Sequence, residues 1–482
     1  MEKGNYTAFA AAAVCFACLV LIYNTPSVGI AAQWISAIFV LAIAGIMIQK
    51  YARLNGGYGL YLLGGKKGIS TIDGLAKDKS NFWDNMSIWG LVMGFGLSSY
   101  ALMKGKLDKR LLLFGIISLF VFELVLMPFI SYGMQFVNLP GFNLAGSGTP
   151  NIGLVITPYS IAILIALFAF GFSGIIFFAI LLNSASIIYS SALFASNPTS
   201  AGLAASGLSQ QIPGVAPVLP GITIPLFAGI ISFAILLIVH EFSHGVLARR
   251  AKIKIKSVGV VLFGIVPIGG FVEPDEKAVL KLNGLGQTKI FTAGISANLI
   301  AAVIFTCLLF IFIFYIAPSA YHNGLVISST DKGYPAYNII KPGTQIISWN
   351  GKNVSSIDSL YNATASDVSG KTISIGTPEK TYLLTAIADP QNSSRGVVGV
   401  NVVEKPIINN IYASVIYFLV KLFALSALLN FLVAVVNLLP IPGLDGWRVY
   451  MANIKSRRFV NFLGALIIIL LIVNIVPWIF YI

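Results

Sequence analysis

Between Glu123 and His240 the chain carries not one Asp, Glu, Lys or Arg. A water-soluble domain is about 25% charged, because ionised side chains keep its surface in solution. A long stretch without them has the lipid bilayer as its natural solvent. The rest of the 482-residue sequence agrees, with 57% hydrophobic and 10% charged residues. Apolar runs suited to crossing a bilayer, which takes about 20 residues, lie at 7–23, 30–48, 86–103, 111–130, 157–183, 223–248, 291–317, 410–437 and 459–481. The expected fold is a polytopic α-helical membrane protein of about nine spans, multi-pass in the cell membrane. The first run is long, unbroken and without a small-residue cleavage site before Asn24, so it reads as a retained helix rather than a signal peptide. The neutral segments 131–156 and 184–220, rich in Gly, Ser, Pro and Asn, are expected to hug or dip into the membrane as loops. The net charge of +14 is dispersed over loops. It marks orientation at lipid headgroups and argues against a nucleic-acid partner.

One segment departs from this pattern. Residues 320–405 contain charges of both signs, from Asp331 and Lys332 to Glu404 and Lys405. Strand-like runs at 345–349 and 371–375 alternate with turns, Asn350-Gly351 being the clearest tight-turn signal. This reads as a small water-soluble β-rich domain inserted between two membrane helices, and KPGTQIISWNGKNVSS (341–356) resembles part of a PDZ domain. The basic clusters Arg249 to Lys256 and Arg448 to Arg458 follow apolar runs. The positive-inside rule puts both in the cytoplasm and the β-rich domain outside. Three N-x-S/T sequons, at Asn353, Asn362 and Asn392, agree with that side. Lys104, Lys106, Lys109 and Arg110 fall on the wrong side of a nine-span count, which points to a re-entrant segment before residue 220. Residues 257–272 are apolar, β-branched and too short to span, and read as a re-entrant hairpin returning to the cytoplasmic side. Cys15, Cys18 and Cys307 all lie in apolar runs, so no disulfide framework is implied and the C-x-x-C reads as two small membrane-helix residues.

The chemistry is concentrated in His240-Glu241-Phe242-Ser243-His244. On a helix, residues four apart share a face, so both imidazoles reach one Zn²⁺, and Glu241 stands beside the position of an activated water. With three His and seven Glu in the chain, this pattern arises by chance on the order of 3 times in 10,000. Ionisable groups inside a membrane helix cost a few kcal/mol each, which a metal site offsets and packing alone does not. A catalytic zinc takes three protein ligands. The remaining histidine, His322, lies in the inserted domain, so the third is expected to be a carboxylate, with Glu123 and Asp445 the candidates. At about 1.5 Å per residue, His240 and His244 lie roughly 13 and 7 Å from the cytoplasmic edge marked by Arg249. Asp445 precedes Arg448 at the same edge and is the better match, whereas Glu123 is mid-span. The prolines of Asn437-Leu438-Leu439-Pro440-Ile441-Pro442-Gly443-Leu444-Asp445-Gly446 free the backbone so that Asp445 can reach a metal on another helix. Such non-helical backbone is tolerated at depth where it lines a water-filled cavity.

HEFSHG and NLLPIPGLDG with a PDZ-like insert between them resemble the site-2 protease family of intramembrane zinc metalloproteases (peptidase M50-like), over roughly 221–450. The resemblance implies His240, His244 and Asp445 as ligands of one catalytic zinc and Glu241 as general base. It further implies substrate-binding roles for Gly294 and Asn298 in AGISAN, for Asn430 and Asn437 in the N-x6-N-L-L-P run, and for Gly269 and Gly270 in the glycine-containing β-loop GIVPIGGFVEP (264–274). The domains expected are an N-terminal membrane region of about five spans (1–220), a first catalytic part (221–318), a PDZ-like extracytoplasmic domain (319–406), a second catalytic part (407–450) and a C-terminal helix (451–482). The implied activity is hydrolysis of peptide bonds in or near transmembrane helices of membrane proteins, in regulated intramembrane proteolysis. The alternatives are a zinc-binding transporter or non-catalytic membrane sensor that keeps the metal site, and a peptidase acting on soluble tails at the membrane surface.

Overall fold

Backbone N–H and C=O groups in a bilayer find no water, so apolar segments satisfy them internally as helices. The computed structural model describes residues 2–25, 30–78, 80–137, 158–196, 218, 220–221, 223–390 and 392–475. They form two compact units, one of Met1–Phe310 with Val420–Ile482 and one of Ile311–Leu419.

The first unit opens with helices α1 (Glu2–Tyr23) and α2 (Ile30–Ala52), strands β1 (Gly56–Gly57) and β2 (Leu60–Gly65), and helices α3 (Lys67–Ala76), α4 (Phe82–Phe95) and α5 (Ser98–Leu102). Helix α6 (Lys109–Val121) runs through a π turn at Phe122–Leu126 into α7 (Met127–Met134), and α8 covers Pro158–Ser196. Helix α9 (Leu226–Arg250), the hairpin β3 (Ile255–Phe263) and β4 (Val266–Pro274), the short α10 (Glu276–Leu280) and α11 (Gly284–Ile311) follow. Among the described residues seven helices are long and apolar enough to cross a membrane, against nine apolar runs in the sequence.

The run 86–103 accounts for part of that difference, because it is not one through-going helix. Helix α4 stops at Gly96, where φ is 55°, and α5 is a single short piece. The start of α4 is tied by Asp84 to Arg250 and Lys289, at one end of α9 and of α11. Further along, Gly115 of α6 packs on Val92 of α4, Phe129 on Phe310, and Gly133 on Leu309. The helix from Lys109 to Met134 therefore runs in the same direction as α11, and at 1.5 Å per residue Lys109 starts near the level of Asp84. The expected crossing at 86–103 is corrected to a re-entrant excursion, and Lys104 to Arg110 join the end of the unit that carries Arg250 and Lys289. Run 157–183 is also interrupted, at Gly171 (φ 61°) within α8. The two breaks meet, with Leu97 N–H donating to the Phe168 carbonyl at 2.8 Å. Of the two expected loops, 138–157 and 197–217 lie outside the described residues, and 184–196 is the end of α8 rather than a loop.

The expected hairpin at 257–272 is present as antiparallel β3 and β4, with Gly259 opposite Phe271 and Val261 opposite Gly269. Its tip at Gly264 packs on Leu41, halfway along α2. Residues 56–65 extend it, a pairing that no pattern in that segment signals. β2 pairs with β3, Leu62 opposite Val261, and the sheet order is β1-β2-β3-β4 with β4 terminal. α11 is the centre of the unit. Thr288 and every residue from Ile290 to Leu299 are buried, and its Ala, Ser, Thr and Gly side chains let neighbours approach closely. Gly90 of α4 lies directly on Ser296, and Ile72 of α3 on Gly245 of α9.

The second unit is a small β-rich body: β5 (His322–Thr330), β6 (Gln345–Ile346), β7 (Ser348–Trp349), β8 (Lys352–Asn353), helix α12 (Ile357–Thr364), then β9 (Thr372–Gly376), β10 (Thr381–Thr385), β11 (Ile387–Asp389), β12 (Asn392–Val397) and β13 (Val400–Ile407). Leu325, Ile327, Trp349, Ile373 and Ile375 form its core. Asn350 and Gly351 both have positive φ, 49° and 78°, as the tight hairpin turn between β7 and β8 requires. The buried Asp367 carboxylate accepts from Trp349 Nε1 and Asn350 Nδ2 at 2.8 and 2.7 Å. Helix α13 (Ile411–Val436) belongs to the first unit from Val420 onward, and α14 (Asp445–Asn453) and α15 (Arg457–Ile475) follow in it.

Asp84 joins α4, α9 and α11, at 2.9 Å from Arg250 Nη2 and 2.8 Å from Lys289 Nζ. Burial works to raise this carboxyl, and the bonds and charges of Lys289 and Arg250 outweigh it, holding it below the usual carboxylate range. Its contribution is present above that range and is lost as pH falls through the lowered value. Asp84→Asn should cost about 1–3 kcal/mol at neutral pH, read as a lower thermal midpoint of the detergent-solubilised protein, and the gap should close in acid.

Candidate metal centre

Three side chains from two distant parts of the chain converge. His240 and His244 lie one turn apart on α9, and Asp445 is the first residue of α14. Their relative exposures are small, 9% for His240 and 8% for Asp445. Asp445 Oδ2 lies 3.2 Å from His240 Nε2 and 3.2 Å from His244 Nε2, and the two Nε2 atoms are 3.2 Å apart. Asp445 Oδ2 is buried and has no hydrogen-bond partner. Two imidazole nitrogens and a carboxylate oxygen in one triangle, with that oxygen orphaned, are a donor set suited to a divalent cation such as zinc. Glu123 stays half-buried in the π turn of α6–α7 and is not part of the group.

The local chain explains how Asp445 arrives. α13 ends at Val436, and the prolines at 440 and 442 prevent its continuation. Gly446 N–H donates to the Asn437 carbonyl at 2.6 Å, closing the segment into a loop. Leu444 is extended (φ −87°, ψ 159°), and α14 starts with Asp445 at its first turn.

Two glycines permit the close packing around the triangle. A Cβ on Gly294 of α11 would lie 2.5 Å from His240 Cε1 and 2.5 Å from His244 Nε2. A Cβ on Gly270 of β4 would lie 2.7 Å from Glu241 Cγ. Two residues further along β4, Val272 N–H donates to Glu241 Oε2 at 3.0 Å. The hairpin thus holds the glutamate beside the triangle.

The sequence-derived site residues divide into two groups. His240, Glu241, His244, Asp445, Gly270, Gly294 and Asn298 come together, Asn298 Nδ2 lying 3.1 Å from His240 Nδ1. Gly269 faces the Val261 side chain on β3 instead. Asn430 is fully buried and donates to the Ser426 carbonyl of its own helix at 2.8 Å. Asn437 takes part through its backbone carbonyl. Sequence reasoning missed two backbone groups, Val272 N–H on Glu241 and the Ile290 carbonyl, 2.7 Å from His244 Nδ1. The second was legible in principle, because residues 290, 294 and 298 lie on one helical face.

A polytopic helical membrane protein with two helix-borne histidines, an adjacent glutamate and a distant aspartate is built like a membrane metallopeptidase. Residues 228–458 match the sequence model of Peptidase family M50, so this part of the chain is similar to that family. An uncharacterized protein of Methanocaldococcus jannaschii is 30% identical over 263 residues, covering 51% of this chain and 64% of that protein. The membrane-bound transcription factor site-2 protease homolog of Arabidopsis thaliana is 26% identical over 162 residues, 33% of this chain and 31% of its own length. The matches thus span less than two thirds of either relative.

Gly294→Ala should push α11 off both imidazoles. Zinc affinity of the purified protein, measured by chelator competition, should fall by at least about tenfold, with the helical content unchanged.

Proposed function

We propose that the chain is a zinc-dependent intramembrane endopeptidase that hydrolyses peptide bonds in or near transmembrane helices of membrane proteins, in regulated intramembrane proteolysis at the cell membrane. The observation that carries this reading is the buried Asp445 oxygen set 3.2 Å from two imidazole nitrogens, with Glu241 on the same helix. His240 Nε2, His244 Nε2 and Asp445 Oδ2 are the ligands in this reading. Bound there, zinc supplies Lewis acidity toward water and a scissile carbonyl.

The chain's own groups do the rest. Glu241 takes a proton from water on the oxygen that Val272 leaves free, and passes it to the leaving amine. β4 is the terminal strand of its sheet. A substrate helix hides its carbonyls in internal hydrogen bonds, so it must unwind to be cut, and an unwound segment adds along β4 at Gly269 and Gly270. Asn430 and Asn437 are the remaining candidates to receive its freed backbone. The domain at 319–406 is read as PDZ-like and extracytoplasmic, a filter on which substrates reach the membrane core. Residues 1–220 support that core, as the contacts of α3, α4 and β2 suggest.

Mass-spectrometric mapping of products from a transmembrane reporter tests the activity. Wild type should cut within or beside the reporter's span, and a chelator should abolish cutting. Glu241→Gln should retain zinc and lose at least about a hundredfold in rate. Cleavage undiminished in Glu241→Gln would contradict a proteolytic role for this site, and cuts confined to a soluble tail would contradict the intramembrane assignment.

A further inference from the structure

An imidazole that holds a metal through one ring nitrogen keeps a proton on the other, and an acceptor for that N–H fixes the ring's tautomer and orientation. His244 has such an acceptor in the Ile290 carbonyl, 2.7 Å from its Nδ1. His240 Nδ1 faces a side chain instead, the amide of Asn298, with Nδ2 at 3.1 Å. Asn298 is fully buried, and its Oδ1 has no hydrogen-bond partner. With Nε2 turned to the metal, Nδ1 carries its proton, and two donors then face each other while an acceptor stands orphaned on the same amide. Exchanging the amide's O and N, which a half-turn about its last bond accomplishes, gives the Nδ1–H its acceptor.

We propose that Asn298 is a positioning residue for the metal centre, its carboxamide oxygen accepting the Nδ1–H of His240 and so directing Nε2 toward Asp445. This deepens the zinc reading above and rests on it. The placement has a simple helical logic. Ile290, Gly294 and Asn298 are spaced four apart on α11, and His240 and His244 are spaced four apart on α9. The outer two positions of α11 supply one acceptor per imidazole. The middle one supplies the absence of a side chain that lets the helices close. Substrate reception, the role the resemblance implied for Gly294 and Asn298, asks for an amide facing a cleft. This amide is sealed against the ligand's far side.

The test uses the full chain in detergent and reads metal binding rather than turnover. Zinc affinity by chelator competition and the visible spectrum of the Co²⁺-substituted protein are compared for wild type, Asn298→Leu and Asn298→Asp. The leucine variant, similar in size but without an acceptor, should bind zinc about 10–100-fold more weakly. The aspartate variant keeps an acceptor and should bind within a few-fold of wild type. Its stronger acceptor should shift the Co²⁺ bands, which a role confined to substrate would not do. Leucine binding as tight as wild type overturns the proposal, as does an aspartate spectrum superimposable on wild type. The second result decides alone should the leucine variant not fold. A wild-type protein that binds no zinc overturns the metal reading itself.

Discussion

A carboxylate oxygen with no hydrogen donor, wedged between two imidazoles inside an apolar helix bundle, is the constraint around which the first unit is built. Left alone, a buried carboxylate costs several kcal/mol, and with their protons on Nδ1 the two ring nitrogens beside it, 3.2 Å apart, turn lone pairs toward the same point. A shared cation satisfies all three groups together. The surrounding structure serves that arrangement. The loop from Asn437 to Gly446 carries Asp445 out of its helix, and Gly294 lets α11 lie against both imidazoles. The hairpin supplies Gly270 and Val272 to hold Glu241 in reach.

Part of this support comes from outside the family-matched region, residues 228–458. β2 widens the hairpin into a sheet and α3 packs through Ile72 on the helix that carries both histidines. α4 meets α11 at Gly90 and is pinned there by Asp84. In a bilayer the hydrophobic effect does little to bring helices together, so small-residue contacts and ion pairs at the helix ends take on the work of registering one helix against another. The N-terminal region therefore has a physical role in the site even though none of its side chains enters the metal triangle.

Much of the site was legible in the sequence because its chemistry is scarce there. With three histidines in the chain, a pair four apart beside a glutamate stands out, and the depth argument picks Asp445 over Glu123 without coordinates. The hairpin was legible from its β-branched, glycine-containing, short run. The path of 86–103 was not, because apolar content reports the solvent of a segment and not whether it crosses. The basic residues Lys104 to Arg110 were the one sign of its return. Strands at 56–65 were invisible because a two-residue and a six-residue strand have too little alternation to register, and they form only by pairing with a hairpin some two hundred residues later. The Ile290 carbonyl beside His244 escaped notice because it is a backbone group, which no side-chain motif names directly.

The central claim is that His240, His244 and Asp445 bind one metal ion together. X-ray absorption at the zinc edge of the purified full chain tests it directly. The account predicts one zinc per chain, with two imidazole nitrogens at about 2.0–2.1 Å and light oxygen scatterers completing the shell, and loss of the bound ion in Asp445→Ala. Sulfur scatterers in the first shell, or a spectrum unchanged by Asp445→Ala, would contradict it.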